Sequence, residues 1–178
     1  MNRFVYIKKS GSGTAGFTLI ELVLYVAISA TLLGVVMSLY FTLARTQARQ
    51  QSIAEVEQQG AAALSLLLQT TRNAQFVVSP TPGTASTTLI LTTYAAAMNP
   101  TVFFVASSTL YVTEGSSTPV ALTNSQVVIS QLSFLNVAAS TTDGSIKVQF
   151  MLSYASTTHY ETNYASFFTS SATVRNQQ

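Results

Sequence analysis

The sequence predicts an α+β protein in which one long N-terminal helix precedes an antiparallel β-rich head. Three observations carry this reading. Phe17 to Ala44 is a long apolar stretch in which Glu21 is the only charged side chain. Apolar and small residues then recur at intervals of three and four as far as Ala74. Beyond Pro80 and Pro82 the chain turns to Thr, Ser, Val, Leu, Phe and Tyr in short runs separated by turn residues. A helical period that gives way to short alternating runs reads as helix followed by sheet.

Residues 17–44 are long enough to cross a bilayer as a helix, since about 20 apolar residues span the hydrocarbon core. A carboxylate inside such a run costs on the order of 2.5–3.5 kcal/mol on insertion scales, so Glu21 marks a functional position that needs a partner. Residues 45–75 form the amphipathic continuation, with Ile53, Val56, Gly60, Ala63, Leu64, Leu67, Thr71 and Ala74 on one face. A continuous helix from Phe17 to Ala74 would be roughly 85 Å long at 1.5 Å per residue. Pro80 and Pro82 are expected to mark its exit.

Residues 76–178 make the head. Its clearest strand is Ser145 to Tyr154, where Ile146, Val148, Phe150, Leu152 and Tyr154 share one face and Ser145, Lys147, Gln149, Met151 and Ser153 the other. Asp143 and Gly144 supply a turn between this strand and the run Val127 to Val137, predicting an antiparallel pair. Leu89 to Thr93, Val102 to Ala106, Leu110 to Thr113 and Ala165 to Val174 are the remaining strand segments. No internal repeat is present.

Charge excludes one large class of function. The formal net charge of +2 comes from eight basic and six acidic residues. Three of the basic ones, Arg3, Lys8 and Lys9, precede the apolar run. Beyond them, five basic and six acidic side chains remain, so the rest of the chain is close to neutral. That leaves no basic footprint for nucleic acid, because the head itself contributes only Lys147 and Arg175.

Catalytic chemistry finds no foothold either. There is no cysteine, so disulfides, thiolate metal sites and cysteine nucleophiles are excluded. The single histidine, His159, sits in a polar stretch without metal-ligand spacing and reads as a solvated loop residue. Glu114, Asp143 and Glu161 are scattered among turns, whereas calcium needs six to eight oxygens gathered in space. Serine and threonine are abundant but lack a base and an orienting acid. The chain is expected to be no enzyme and to need no cofactor or metal.

The most specific motif lies at the start of the apolar run: Gly16, Phe17, Thr18, Leu19, Ile20 and Glu21, behind a short basic leader and a Gly/Ser-rich link from Ser10 to Gly16. Thr18 and Glu21 also have the spacing of a capping box, which is a purely local reading. An ordinary secretory signal would instead be cut near Ala27 to Ala30, leaving half of the apolar run on the product. A plain, unprocessed signal anchor would explain the basic leader and the apolar run but not the order of residues at their junction.

Leader, Gly-Phe junction, glutamate and long helix together resemble the class III signal of type IV pilins and type II secretion pseudopilins. The resemblance is residue by residue in the leader and first helix, and only by pattern in the head. It implies cleavage by a prepilin peptidase between Gly16 and Phe17, N-methylation of Phe17, and Glu21 as fifth residue of the mature chain. It further implies a cytoplasmic leader, a single pass through the cytoplasmic membrane and an ectodomain outside. The partners implied are membrane lipid before assembly, the inner-membrane assembly platform, and afterwards other pilin or pseudopilin subunits, with Glu21 neutralising the Phe17 amine of a neighbour. Arg45, Arg49, Glu55, Glu57 and Arg72 are candidates for bridges between helices. The absence of a proline before Pro80 points to a minor pilin or pseudopilin, and the presence of Glu21 to a position below the extreme tip. The alternative function is an adhesin or DNA-uptake subunit whose head binds a ligand.

Overall fold

A computed structural model describes residues 16–139, 144–155 and 164–175. Among the described residues the secondary structure is α+β: one helix, α1 (Leu19–Asn73), is followed only by antiparallel strands and a single 3-10 turn at Ala96–Met98. The helix contains no proline and two glycines, Gly34 and Gly60. The chain divides into two compact units, Met1–Ala44 and Arg45–Gln178, with the division falling inside α1.

In the second unit the helix buries one narrow stripe, made of Ser52, Val56, Gly60, Ala63, Leu67 and Thr71. The stripe is close to the one read from the sequence, with two residues less buried and one added. Ile53 and Leu64 lie half-buried on its flanks, and Ser52 takes the buried place at the start. A serine is tolerated there because its hydroxyl donates to the Arg49 carbonyl at 2.8 Å, and Thr71 does the same to Leu67 at 2.8 Å. Both polar groups are satisfied by their own helix, so their burial leaves no orphan donor.

The helix ends within one residue of Ala74, where its period of three and four also ends. The prolines at 80 and 82 do not stop it; α1 closes at Asn73, and Ala74–Ser79 is strand β1. The segment after Ala74 contains Phe76, Val77 and Val78, residues that suit a pleated surface, and pairing with a neighbouring strand satisfies their backbone better than a further helical turn. Pro80 therefore ends a strand rather than a helix.

The remaining strands are β2 (Ala85–Ser86), β3 (Leu89–Thr93), β4 (Thr101–Ala106), β5 (Thr109–Glu114), β6 (Val120–Ala121), β7 (Val127–Asn136), β8 (Ser145–Tyr154) and β9 (Ala165–Thr173). They form two sheets. One has the order β1-β3-β4-β5-β6 and the other β2-β7-β8-β9. The expected pairing of the 127 run with the 145 run is β7 with β8, antiparallel, from Val127↔Tyr154 to Asn136↔Ile146. Asp143, placed in the turn between them, lies outside the described residues.

Alternation in β8 follows the sequence, with Ile146, Val148, Phe150 and Leu152 fully buried. In β7 it does not: Val127 and Ile129 are buried, then Leu132, Phe134 and Asn136. The buried face passes from odd to even positions between Ser130 and Ser133, where the register shifts and Gln131 has a positive φ of 52°. One extra residue in the bulge flips every later side chain, so the apolar residues on both sides of it reach one core. That core joins the helix stripe to Leu89, Leu91, Phe103 and Leu110 of the first sheet and to Phe134, Phe150 and Val148 of the second. Asn136 is buried among them, its amide donating to the Pro80 carbonyl at 2.8 Å.

Candidate functional site at the start of the apolar helix

Gly16 and Phe17 precede the helix and are exposed, Phe17 to 74%. A side chain placed at Gly16 would meet nothing, so the backbone there is open to an approaching partner. Helix α1 then starts at Leu19. Its cap is Thr18, whose hydroxyl accepts the Glu21 N–H at 3.3 Å while its carbonyl accepts the Leu22 N–H at 3.2 Å. This is half of a capping box. The bond uses the backbone of residue 21 and would form with almost any residue there, so the cap accounts for Thr18 and leaves the Glu21 carboxylate unexplained. Among the described residues that carboxylate has no hydrogen-bond or ion-pair partner.

From Leu22 to Ala44 the helix carries no charge on any side. All of its large apolar side chains from Phe17 to Leu43 are at least 48% exposed. At about 1.5–3 kcal/mol for each large side chain, leaving them in water would cost tens of kcal/mol, several times the stability of a typical domain. Two hydroxyls in the run are satisfied by their own helix, Thr31 donating to the Ile28 carbonyl at 2.8 Å and Thr42 to Ser38 at 2.9 Å. A helix that is apolar all round fits lipid or a bundle of like helices. It is long and apolar enough to cross a membrane, and it fits a single-pass anchor near the N-terminus.

Of the other residues singled out in the sequence, Arg3, Lys8, Lys9, His159 and Glu161 lie outside the described residues, as does Asp143. Glu114 closes β5, half-buried. Among the described residues no three His, Asp or Glu side chains gather as a metal site would require.

Two of the residues named as candidates for bridges between helices, Glu55 and Glu57, make hydrogen bonds within the chain. Glu55 accepts the Asn124 amide at 2.7 Å and the Gln59 amide at 3.2 Å. Glu57 accepts the Tyr164 hydroxyl at 2.8 Å, and that bond raises the phenol above its ordinary pKa of about 10. Both contacts tie the helix to loops that enter strands of the second sheet. Sequence spacing could not reveal them, because the partners are 69 and 107 residues away.

Comparison with protein-family models, curated proteins and solved structures finds no match to this chain.

Proposed function

We propose that this protein is a structural subunit of a membrane-assembled filament of the type IV pilin or type II secretion pseudopilin kind, most simply a minor one. The observation that carries the proposal is Glu21: a lone carboxylate without a partner among the described residues, at the start of an apolar helix, four residues after Phe17 of an exposed Gly16-Phe17 junction. Cleavage between Gly16 and Phe17 would create an amine on Phe17. A cation next to the only anion of the segment provides the partner that Glu21 lacks, and in a bundle of like helices that cation comes from a neighbouring subunit.

The mechanism is one of exchanged surroundings. Before assembly lipid covers Leu19, Ile20, Leu22, Val23 and the residues that follow; on extraction by an assembly machine the same side chains meet the helices of other subunits. Water is avoided at both stages. The Glu21 to Phe17 pair then sets the axial position of one helix against the next, because a buried charge is tolerated only where its counterion lies. The head, polar and low in charge, faces the outside of the filament.

The test is Glu21→Gln in the full chain, scored separately for cleavage, membrane level and incorporation into sheared filaments or crosslinked pseudopili. Gln keeps the shape and the Thr18 cap but removes the charge, leaving an unpaired cation in a dry site at about 3–5 kcal/mol. Cleavage and insertion are expected to persist and incorporation to fail. Normal incorporation would defeat the proposal and return Glu21 to a role at its own helix start.

A further inference from the structure

The two sheets have four edges, and three of them are blunted. Strands β2 and β6 are two residues long, and β1 is broken by two register shifts and runs into Pro80. These are ordinary devices by which proteins prevent stray strand pairing. Strand β9 has none of them. It is nine residues long, contains no proline and no charged side chain, and pairs with β8 without a shift from Ser145↔Thr173 to Ser153↔Ala165.

The direction of its unpaired backbone follows from the ladder. Val174 N–H bonds the Gly144 carbonyl at 2.7 Å at one end, and Tyr154 N–H bonds the Tyr164 carbonyl at 2.9 Å at the other. Bonded and non-bonded pairs alternate in an antiparallel ladder. The even residues of β9 therefore turn their backbone groups to β8, and Ala165, Phe167, Thr169, Ser171 and Thr173 turn theirs away from it. Among the described residues nothing bonds to that side until Arg175, whose N–H donates to the Arg72 carbonyl at 3.2 Å.

That bond closes the open edge with two arginines. Arg72, Asn73 and the segment Ser171 to Arg175 line a cavity of about 550 Å³ that contains no acidic residue. Neither arginine has a carboxylate partner among the described residues, in a chain with only eight basic residues in all. Two guanidinium groups beside one cavity are suited to receive a carboxylate.

We propose that β9 is a docking edge for an extended segment of another protein, which adds as an antiparallel strand and places an acidic residue near its N-terminal end against Arg72 and Arg175. Antiparallel addition is the more stable pairing and brings the start of the incoming strand to the Arg175 end. A second copy of this chain is the poorer occupant, because none of its described edge strands, β1, β2, β6 and β9, contains an aspartate or glutamate. The docking edge does not depend on the filament assignment.

The test uses the full chain in detergent micelles and an acetylated, amidated heptapeptide that starts with glutamate and continues as a threonine-valine repeat. Hydrogen exchange at Phe167, Thr169 and Ser171 is expected to slow at least about tenfold at saturating peptide, with Phe168 and Ser170 unchanged because β8 already protects them. The same peptide starting with glutamine, or the variants Arg72→Gln and Arg175→Gln, should bind about tenfold more weakly. Thr169→Pro removes an outward N–H without touching the β8 ladder, so it should keep the melting temperature and lose the protection. No slowing at millimolar peptide, or equal slowing by both peptides, would overturn the proposal. Slowing that grows with protein concentration in the absence of peptide would also overturn it, in favour of self-pairing.

Discussion

Gly60 lies on the buried stripe of α1, directly over the ring of Phe168. A methyl group at that position would overlap three atoms of the ring, Cζ, Cε1 and Cε2. The ring cannot simply step aside, because it is stacked on the fully buried Phe150 with centroids 5.3 Å apart and an interplanar angle of 19°. Gly60→Ala thus sets two effects against each other. Alanine gains about 1 kcal/mol of helix propensity, and overpacking costs about 1–3 kcal/mol. The overlap involves the whole tip of a trapped ring, so the upper part of that range applies and the variant is expected to lose about 1–2 kcal/mol. For a folded unit of this size the melting temperature should fall by roughly 4–8 °C. The assay is thermal unfolding of the full chain in detergent, followed by the near-ultraviolet signal of its aromatic residues. The decisive comparison is the same substitution in a Phe168→Ala background. With the ring gone, only the propensity term survives, and Gly60→Ala should become stabilising by up to about 1 kcal/mol. A substitution that stabilises both backgrounds equally would refute the contact, and with it the claim that a glycine is needed there for packing.

Arg45–Gln178 alone is expected to be soluble and to unfold cooperatively, whereas Ala74–Gln178, without the stripe from Ser52 to Thr71, should aggregate or melt without cooperativity. Equal behaviour on chromatography and calorimetry would contradict the dependence of the sheets on the helix. The bond from Tyr164 to Glu57 favours the protonated phenol, so the folded pKa lies above the unfolded one. Its stabilisation is fully present below pH about 10 and disappears as pH rises through the folded pKa. Tyr164→Phe should remove that part of the alkaline loss, and identical alkaline melting curves for the two proteins would show that the bond carries none of it. On the filament proposal, mass spectrometry of the membrane form in cells with an active prepilin peptidase should find an N-methylated Phe17 at the terminus. Gly16→Val, which adds a branched side chain at the cut, should leave the precursor uncut; an intact leader on the unmodified chain would remove the basis of the proposal.

The sequence alone was sufficient where a residue's environment depends on near neighbours. The apolar run, the period of three and four from Val56 to Thr71 and the alternation of Ile146, Val148, Phe150 and Leu152 are local patterns, and helix and strand geometry turn each of them into a face. The Thr18 cap is equally local. Features decided by contacts between distant segments were not legible in this way. The end of the helical period near Ala74 is local, but that Ala74–Ser79 is a strand and not a run-out to Pro80 is decided by β3, which pairs with it. The faces of β7 exchange at Gln131 because both halves must reach one core. Ser52 is buried by the folded head while its hydroxyl stays satisfied by its own helix, and Glu55 and Glu57 meet Asn124 and Tyr164 only once the chain has folded. Glu21 stands between the two cases: its position and its isolation are written in the sequence, but the cation that would satisfy it lies on no described part of this chain.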